Sequence, residues 1–518
     1  MRALIVAPIV LPALTAALLV LALRHRLDAQ RIVSTVSTGL LVVVAALLYV
    51  TARSGPPLSY DLGDWPAPFG ITLVLDRLSA TLVLVTALLG AAVLAYALAG
   101  WDRRGRHFHP LFQFQLMGLA GAFLTGDVFN LFVFFEVMLI ASYGLLLHGG
   151  GARRLNAGLR YVAVNLVGST LFLFAVGLIY AVTGTLNMAD LAAKVATVPA
   201  ADAALLRTGA LLLLVVFALK AALVPLHWWL PGSYGAAPGP VAALFMVMTK
   251  VGAYAILRLS TLVFGPQAGA LSDLAAPWLM PVALASLALG AVGVLASRSL
   301  VALAGFSVVW SMGSLTAAFG MLDAGGIAAG LYYLIHSTLS GAALFLVADL
   351  VGRARGSYAD QLVPAPALPR LGSLAVLFFV AAIAVTGLPP LSGFLGKLLV
   401  LAATGTAPAA PWIWAMLLAT SLVVIVGFAR AGSTLFWKTV PGPAPQVGPP
   451  TPIGVPIAVC AALVAATALL AAFAGPVTDE LAATTRQVLD TEAYRSAVRP
   501  MRTTLQGGTG AVDPGAQP

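Results

Sequence analysis

The stretch Thr125-Gly-Asp-Val-Phe-Asn-Leu-Phe-Val-Phe-Phe-Glu-Val-Met-Leu-Ile-Ala-Ser-Tyr143 decides how the rest of the chain is read. From Val128 to Ile140 it is apolar except for Asn130 and Glu136. Coiled as a helix, such a run is at home in hydrocarbon, where a charge at the bilayer centre costs about 2.5–3.5 kcal/mol. Glu136 therefore needs a partner, water or a function.

The surrounding chain has the same character. Of 518 residues, 60% are hydrophobic and 9% charged, against roughly 25% charged in a soluble domain, which excludes an ordinary cytosolic enzyme. Leu40–Val50, Leu211–Leu219 and Val455–Ala472 carry no charge, and several apolar runs approach the roughly 20 residues that span a bilayer. The net charge of +10 is dispersed over short connections, which argues against nucleic-acid binding. A single cysteine, Cys460, excludes an internal disulfide and any cysteine-built metal cluster. The sequence calls for no cofactor and no metal.

Apolar runs between polar or Gly/Pro breaks predict an all-α integral membrane protein of about fourteen helices. They lie near residues 3–23, 33–51, 72–99, 110–125, 127–148, 158–183, 208–229, 239–262, 275–296, 299–320, 325–351, 371–405, 411–436 and 454–474. The first run reads as a retained helix and not as a leader. A single helix over 371–405 would be roughly 52 Å long, well beyond a roughly 30 Å core. Gly387, Pro389, Pro390 and Gly393 mark a break there, and Pro225 marks a second. Most Lys and Arg sit in connections after odd-numbered helices, among them Arg103, Arg104, Arg153, Arg154 and Arg353; those after even-numbered helices hold only Arg53, Lys194 and Arg207. The odd connections are thus expected on the cytoplasmic side and both termini outside, although Arg486 and Arg495 in the tail fit that placement poorly. The Gly- and Pro-rich end, 506–518, is expected to be disordered.

Three more charges interrupt apolar runs: Lys220, Lys250 and Lys397. Burial disfavours an ammonium and a nearby carboxylate favours it, so such lysines can load and release protons. A static Glu136–Lys220 ion pair is the alternative. His336 suits proton relay, or a plain hydrogen bond between helices. His227, beside Trp228 and Trp229, reads as an interfacial belt. Asp127 is expected to cap a helix, and Asp76, Arg77 and Asp349 to be paired or near an interface. No Gly-x-x-x-x-Gly-Lys-Ser/Thr loop exists, since Leu398 follows Gly396-Lys397.

The 125–143 stretch strongly resembles the D subunit of multi-subunit sodium/proton antiporters of the Mrp, Mnh or Pha type, similar to the antiporter-like subunits of respiratory NADH:quinone oxidoreductase. The likeness continues through Phe217-Ala-Leu-Lys-Ala-Ala-Leu-Val-Pro-Leu-His-Trp-Trp-Leu-Pro231, Ala236-Ala-Pro-Gly-Pro240, Thr249-Lys-Val-Gly-Ala-Tyr254 and Gly387-Leu-Pro-Pro-Leu-Ser-Gly-Phe-Leu-Gly-Lys397. It implies two inverted five-helix repeats, each with a broken helix, and a hydrophilic axis at the membrane midplane. It divides the chain into N-terminal helices (1–108), a first half (109–262), a second half (270–436) and a C-terminal helix with a polar tail (437–518). By motif, Glu136 falls on the coupling glutamate, Lys220 on the lysine it modulates, Lys250 on the next lysine and Lys397 on the terminal residue of the second channel. Many relatives carry a lysine five residues after the counterpart of His336, where this chain has Gly341; the middle of the axis must then use His336, waters or hydroxyls such as Ser340.

The resemblance implies a secondary transporter subunit and not an enzyme, in a bacterial inner membrane. Its partners would be the other subunits of the complex, protons and sodium. No acidic cluster resembles a sodium site, so sodium is free to pass elsewhere in the complex. The runner-up is the ion-pumping arm of a redox complex, and a passive scaffold is a third reading.

Overall fold

The computed structural model describes residues 2–65, 67–366, 371–441 and 453–498; the 506–518 tail lies outside the described residues. Helices α1 (Ala7–Leu21) and α2 (Leu27–Arg53) lead into a hairpin of β1 (Leu58–Asp61) and β2 (Thr72–Leu75). Then come α3 (Arg77–Ala97), α4 (Phe108–Leu124), α5 (Val128–Leu146), α6 (Ala152–Thr183), α7 (Met188–Val195) and α8 (Ala200–Lys220). After the first break follow α9 (Trp229–Ala236), α10 (Gly239–Leu244), α11 (Met246–Leu262), α12 (Ala276–Ala296), α13 (Leu300–Phe319) and α14 (Ala324–Ala354). The second broken run is α15 (Leu371–Thr386) and α16 (Ser392–Thr404), and α17 (Ala410–Gly432), α18 (Gly454–Ala472), α19 (Ala474–Leu489) and α20 (Thr491–Ala497) close the chain.

Against the expected fourteen or so, twelve helical segments among the described residues are long and apolar enough to cross a membrane. The 17-residue α4 and the short helices α15 and α16 fall below that length. Side chains of Asp76, Asp127, Ser299 and Asp323 accept from first-turn N–H groups of α3, α5, α13 and α14, which satisfies donors that hydrocarbon would leave unpaired. Asp127 is the cap expected of it.

Both expected breaks are present. α8 stops at Lys220 instead of running to 229, because Pro225 cannot donate to a helical ladder. The freed groups find partners: Val224 N donates to Ser286 Oγ at 3.0 Å, and Trp229 Nε1 donates to the Leu219 carbonyl at 3.0 Å. Trp229 is thus 5% exposed and closes the break, so only Trp228 fits the expected belt. Lys220, placed mid-helix by the sequence, sits at a helix end.

The connections gather at two ends of the bundle. At one end β2 bridges Thr125, Asp127 bridges Asn187, and Ser59 donates to the Ala497 carbonyl. Glu480 of α19 pairs with Arg53 and Arg77 at 2.8 and 2.9 Å. The chain after 475, read as a polar tail, is therefore two helices docked beside the 54–76 hairpin, at the end that holds the even-numbered connections. The opposite end carries the arginine-rich connections, where Arg31 Nε lies 2.6 Å and His109 Nε2 3.3 Å from Asp102. Burial raises the Asp102 carboxyl, but the bonds from His109 and Arg31 outweigh it and hold it down at about 2. His109 and His148, at this same end, are both buried.

Candidate functional site: a buried line of ionisable side chains

Glu136 projects from α5 toward α6, where Ser169 Oγ donates to its Oε1. One turn earlier on α6, Asn165 Oδ1 accepts from Lys220 Nζ at 2.9 Å. Residues four apart share a helix face, so α6 holds the carboxylate and the ammonium side by side without bringing them into contact. No Glu136–Lys220 ion pair exists among the described residues; each group is held by a neutral side chain. The static-pair alternative thus finds no support. Phe135 adds its ring face 5.9 Å from Lys220 Nζ.

α11 passes close to the end of α8 because residue 252 is glycine: a Cβ there would meet Ala221 N at 2.6 Å. This brings Lys250, 1% exposed, into the interior, where its hydrogen-bond partner is the weak acceptor Met312 Sδ at 3.7 Å. Beyond it lies a small cavity lined by Met246, Ser307, Ser311, Ser337, Ser340 and His336. About 10 Å³ is open to the centre of a water molecule, which is room for roughly one water. Ser311 Oγ is one of the hydroxyls at this cavity. A Cβ at Gly341 would come within 2.3 Å of Met246 Cε. Met246 thus occupies the space a longer side chain at 341 would use.

His336 stands on the far side of this cavity. Its Nδ1 lies 2.9 Å from Ser392 Oγ at the start of α16, and its Nε2 lies 3.4 Å from Ser340 Oγ. Gly393 makes this possible, since a Cβ there would fall 2.1 Å from the Ala384 carbonyl and 2.9 Å from His336 Nε2. Gly387, at φ +73°, lets the Lys397 stem cross the break, for a Cβ would meet its Cδ at 2.8 Å. Lys397 Nζ donates to the Thr386 carbonyl, freed by the break, and to Ser421 Oγ at 2.9 Å. It also lies 4.1 Å from the centre of the Trp310 ring. The helix break is therefore the seat of the lysine.

Lys220, Lys250, His336 and Lys397 are thus buried and Glu136 half-buried, with Lys220 and Lys397 at the two helix breaks. The described residues contain no group of three or more His, Cys, Asp or Glu suited to a metal ion.

A family model described as NADH:quinone oxidoreductase/Mrp antiporter, transmembrane, matches residues 125–426. The D subunit of a probable K(+)/H(+) antiporter of Rhizobium meliloti (strain 1021) is 44% identical over 479 residues, covering 86% of this chain and 88% of its own. The chain belongs to the family of antiporter D subunits. The D subunit of the Na(+)/H(+) antiporter of Bacillus subtilis (strain 168) is 37% identical, with 85% of this chain and 88% of its own covered. Among solved structures, a chain of the Mrp complex from Dietzia sp. DQ12-45-1b superposes with a TM-score of 0.84 at 27% identity, covering 96% of this chain and all of the other. The resemblance drawn from the motifs is therefore correct.

Sequence reasoning leaves out several residues of this antiporter chain. Asn165, Ser169, Ser392 and Ser421 carry no charge, so cost alone does not mark them; Asn165 in Val162-Ala-Val-Asn-Leu166 is the most visible. Arg258 meets the same criterion as the lysines. It is 3% exposed and its Nη2 pairs with Asp76 Oδ2 at 2.5 Å, which bears out the pairing expected of Asp76. Asp349 is likewise paired, with Arg353 at 2.7 Å, and accepts from Tyr96 and Trp101.

Proposed function

We propose that this chain is the proton-conducting subunit of a multi-subunit monovalent cation/proton antiporter in a bacterial inner membrane. It is a transporter subunit, and its role in the complex is to carry protons along the Glu136–Lys220–Lys250–His336–Lys397 line. The observation that carries this reading is the choice of partners. Each of the three lysines is held by amide, hydroxyl, carbonyl or thioether groups, and none by a carboxylate among the described residues. A tight buried ion pair locks both charges in place, whereas neutral acceptors leave an ammonium free to pass its proton on. A purely structural lysine at such depth would be a cost without return.

In this reading Glu136 and Lys220 communicate through α6, and Lys250 and His336 exchange a proton through the water-sized cavity and its serines. Lys397 forms the end of the line in the second half, 270–436, while Lys220 and Lys250 belong to the first, 109–262. Glu136 is only half-buried, and Phe129, Val133 and Ile140 on the same helix are exposed. That face suits cover by a neighbouring subunit, which would also remove the carboxylate from lipid. The cation is sodium or potassium, the two ions named for the relatives, and its path need not run through this chain.

The family description also embraces NADH:quinone oxidoreductase, so a redox-driven pump is the competing reading. Everted vesicles holding the full complex, with and without this chain, separate the two. Proton exchange driven by added sodium or potassium, abolished without the chain, is expected. Proton movement that ignores both cations but follows an added electron donor would overturn the antiporter reading.

A further inference from the structure

At the arginine-rich end of the bundle a cleft of about 450 Å³ opens between α6, α14 and the α3–α4 connection. Its charges do not balance. Three guanidinium groups crowd one indole: Arg104, Arg353 and Arg154 lie 3.9, 5.2 and 5.4 Å from the Trp101 ring. Asp349 is the carboxylate among them, and it is already engaged by Arg353, Tyr96 and Trp101. Arg153 and Asp360 at the rim, 3.8 Å apart, offset each other. Arg154 is spent on the carbonyls of Gly150 and Ala236. The Arg104 side chain, exposed at the cleft mouth, makes no hydrogen bond or ion pair among the described residues. Like charges this close repel unless an anion joins them.

The same cleft receives the start of α6. This 32-residue helix has Gly151 at its N-cap and no side chain accepts from its first turn, so its free N–H groups and dipole present positive potential. Gly149, Gly150 and Gly151 all have positive φ, and at Gly150 and Gly151 nothing lies within 4 Å of where a Cβ would stand. The loop is bare, and the first turn is open to the cleft. Guanidinium forks and an uncapped helix start are the two standard ways to hold a phosphate.

We propose that this cleft is a binding site for a phosphate-bearing anion, either the headgroup of an anionic phospholipid or inorganic phosphate. Arg104 and Arg353 would clasp its oxygens, Trp101 would form the floor, and the first turn of α6 would donate from the side. Leu155 and Leu159, exposed on α6 just beyond the cleft, offer an apolar wall for acyl chains.

The test uses the purified full complex, delipidated and titrated with phosphatidylglycerol, phosphatidylcholine or inorganic phosphate, with bound ligand counted by native mass spectrometry. Arg104→Gln removes one charge-assisted bond to the anion without breaking a described hydrogen bond or ion pair, and should weaken phosphatidylglycerol binding by about tenfold. Arg104→Glu should weaken it further, while binding of phosphatidylcholine stays as in the native complex. If millimolar phosphate fails to displace the lipid, the headgroup is the ligand; if phosphate alone binds and displaces it, the free anion is. Native-like binding of both phosphatidylglycerol and phosphate in Arg104→Gln and Arg104→Glu would overturn the proposal.

Discussion

Replacing Asn165 with leucine tests whether α6 is part of the proton line or only a strut. Asn165 Oδ1 is the hydrogen-bond acceptor found for Lys220 Nζ, at 2.9 Å, and both side chains are at most 5% exposed. Leucine is close to isosteric, so packing is conserved and the loss is the acceptor. A hydrogen bond to a charged group contributes about 1.5–3 kcal/mol. Removing this one should weaken proton binding at Lys220 by about 10- to 100-fold, since each 1.4 kcal/mol is a factor of ten. If Lys220 must be protonated once per cycle, cation-driven proton exchange in everted vesicles should fall by about tenfold or more. Assembly is checked by native gel, and Thr170→Ala, exposed on the same helix, serves as the unaffected control. Exchange within twofold of native in an assembled Asn165→Leu complex would refute the assignment of Asn165 as the seat of Lys220.

Three further outcomes follow from the geometry. Gly393→Ala would place a methyl group 2.1 Å from the Ala384 carbonyl and against His336; overpacking of this kind costs about 1–3 kcal/mol, so a lower unfolding temperature and loss of exchange are expected, and a native-like variant would show the break to be pliable. Arg258→Leu leaves Asp76 buried and unpaired, a loss of about 3–5 kcal/mol, which Arg258→Leu combined with Asp76→Asn should largely recover in thermal unfolding; equal damage in the double variant would refute the pairing argument. Burial pushes the Asp127 carboxyl up to about 6 despite N–H groups from Asn130 and Phe129. Its folded value lies above the unfolded one, so the native state holds the extra proton and stability falls as pH rises from about 4 to 6, by at most about 3 kcal/mol. Asp127→Asn keeps the cap and should flatten that slope, seen as unfolding temperature against pH; an unchanged slope would contradict it.

The membrane class, the two breaks and the four interior charges are legible because each is a violation that hydrocarbon makes expensive. Charge cost picks out Glu136, Lys220, Lys250 and Lys397 with no structure at all. What holds them is less visible: Ser169, Ser392 and Ser421 are small neutral residues that fit an apolar helix without penalty, and their importance lies in contacts over tens to scores of residues. Gly341 and Met246 exchange space across two helices, which spacing along the chain does not encode. The docked α19 and α20 escape notice because their stretch is polar, with Glu480 meeting Arg53 and Arg77 some four hundred positions away. Arg258 is different: its setting in Ala255-Ile-Leu-Arg-Leu-Ser260 is as costly as that of Lys250.

The most direct test of a proton line through this chain compares cation-dependent proton exchange in inverted vesicles holding the full complex, native against Glu136→Ala and Lys220→Ala, after assembly is confirmed. The account predicts assembled complexes whose exchange collapses in both variants. Exchange near the native level in either would make that residue structural and would contradict the assignment of the proton path to this line.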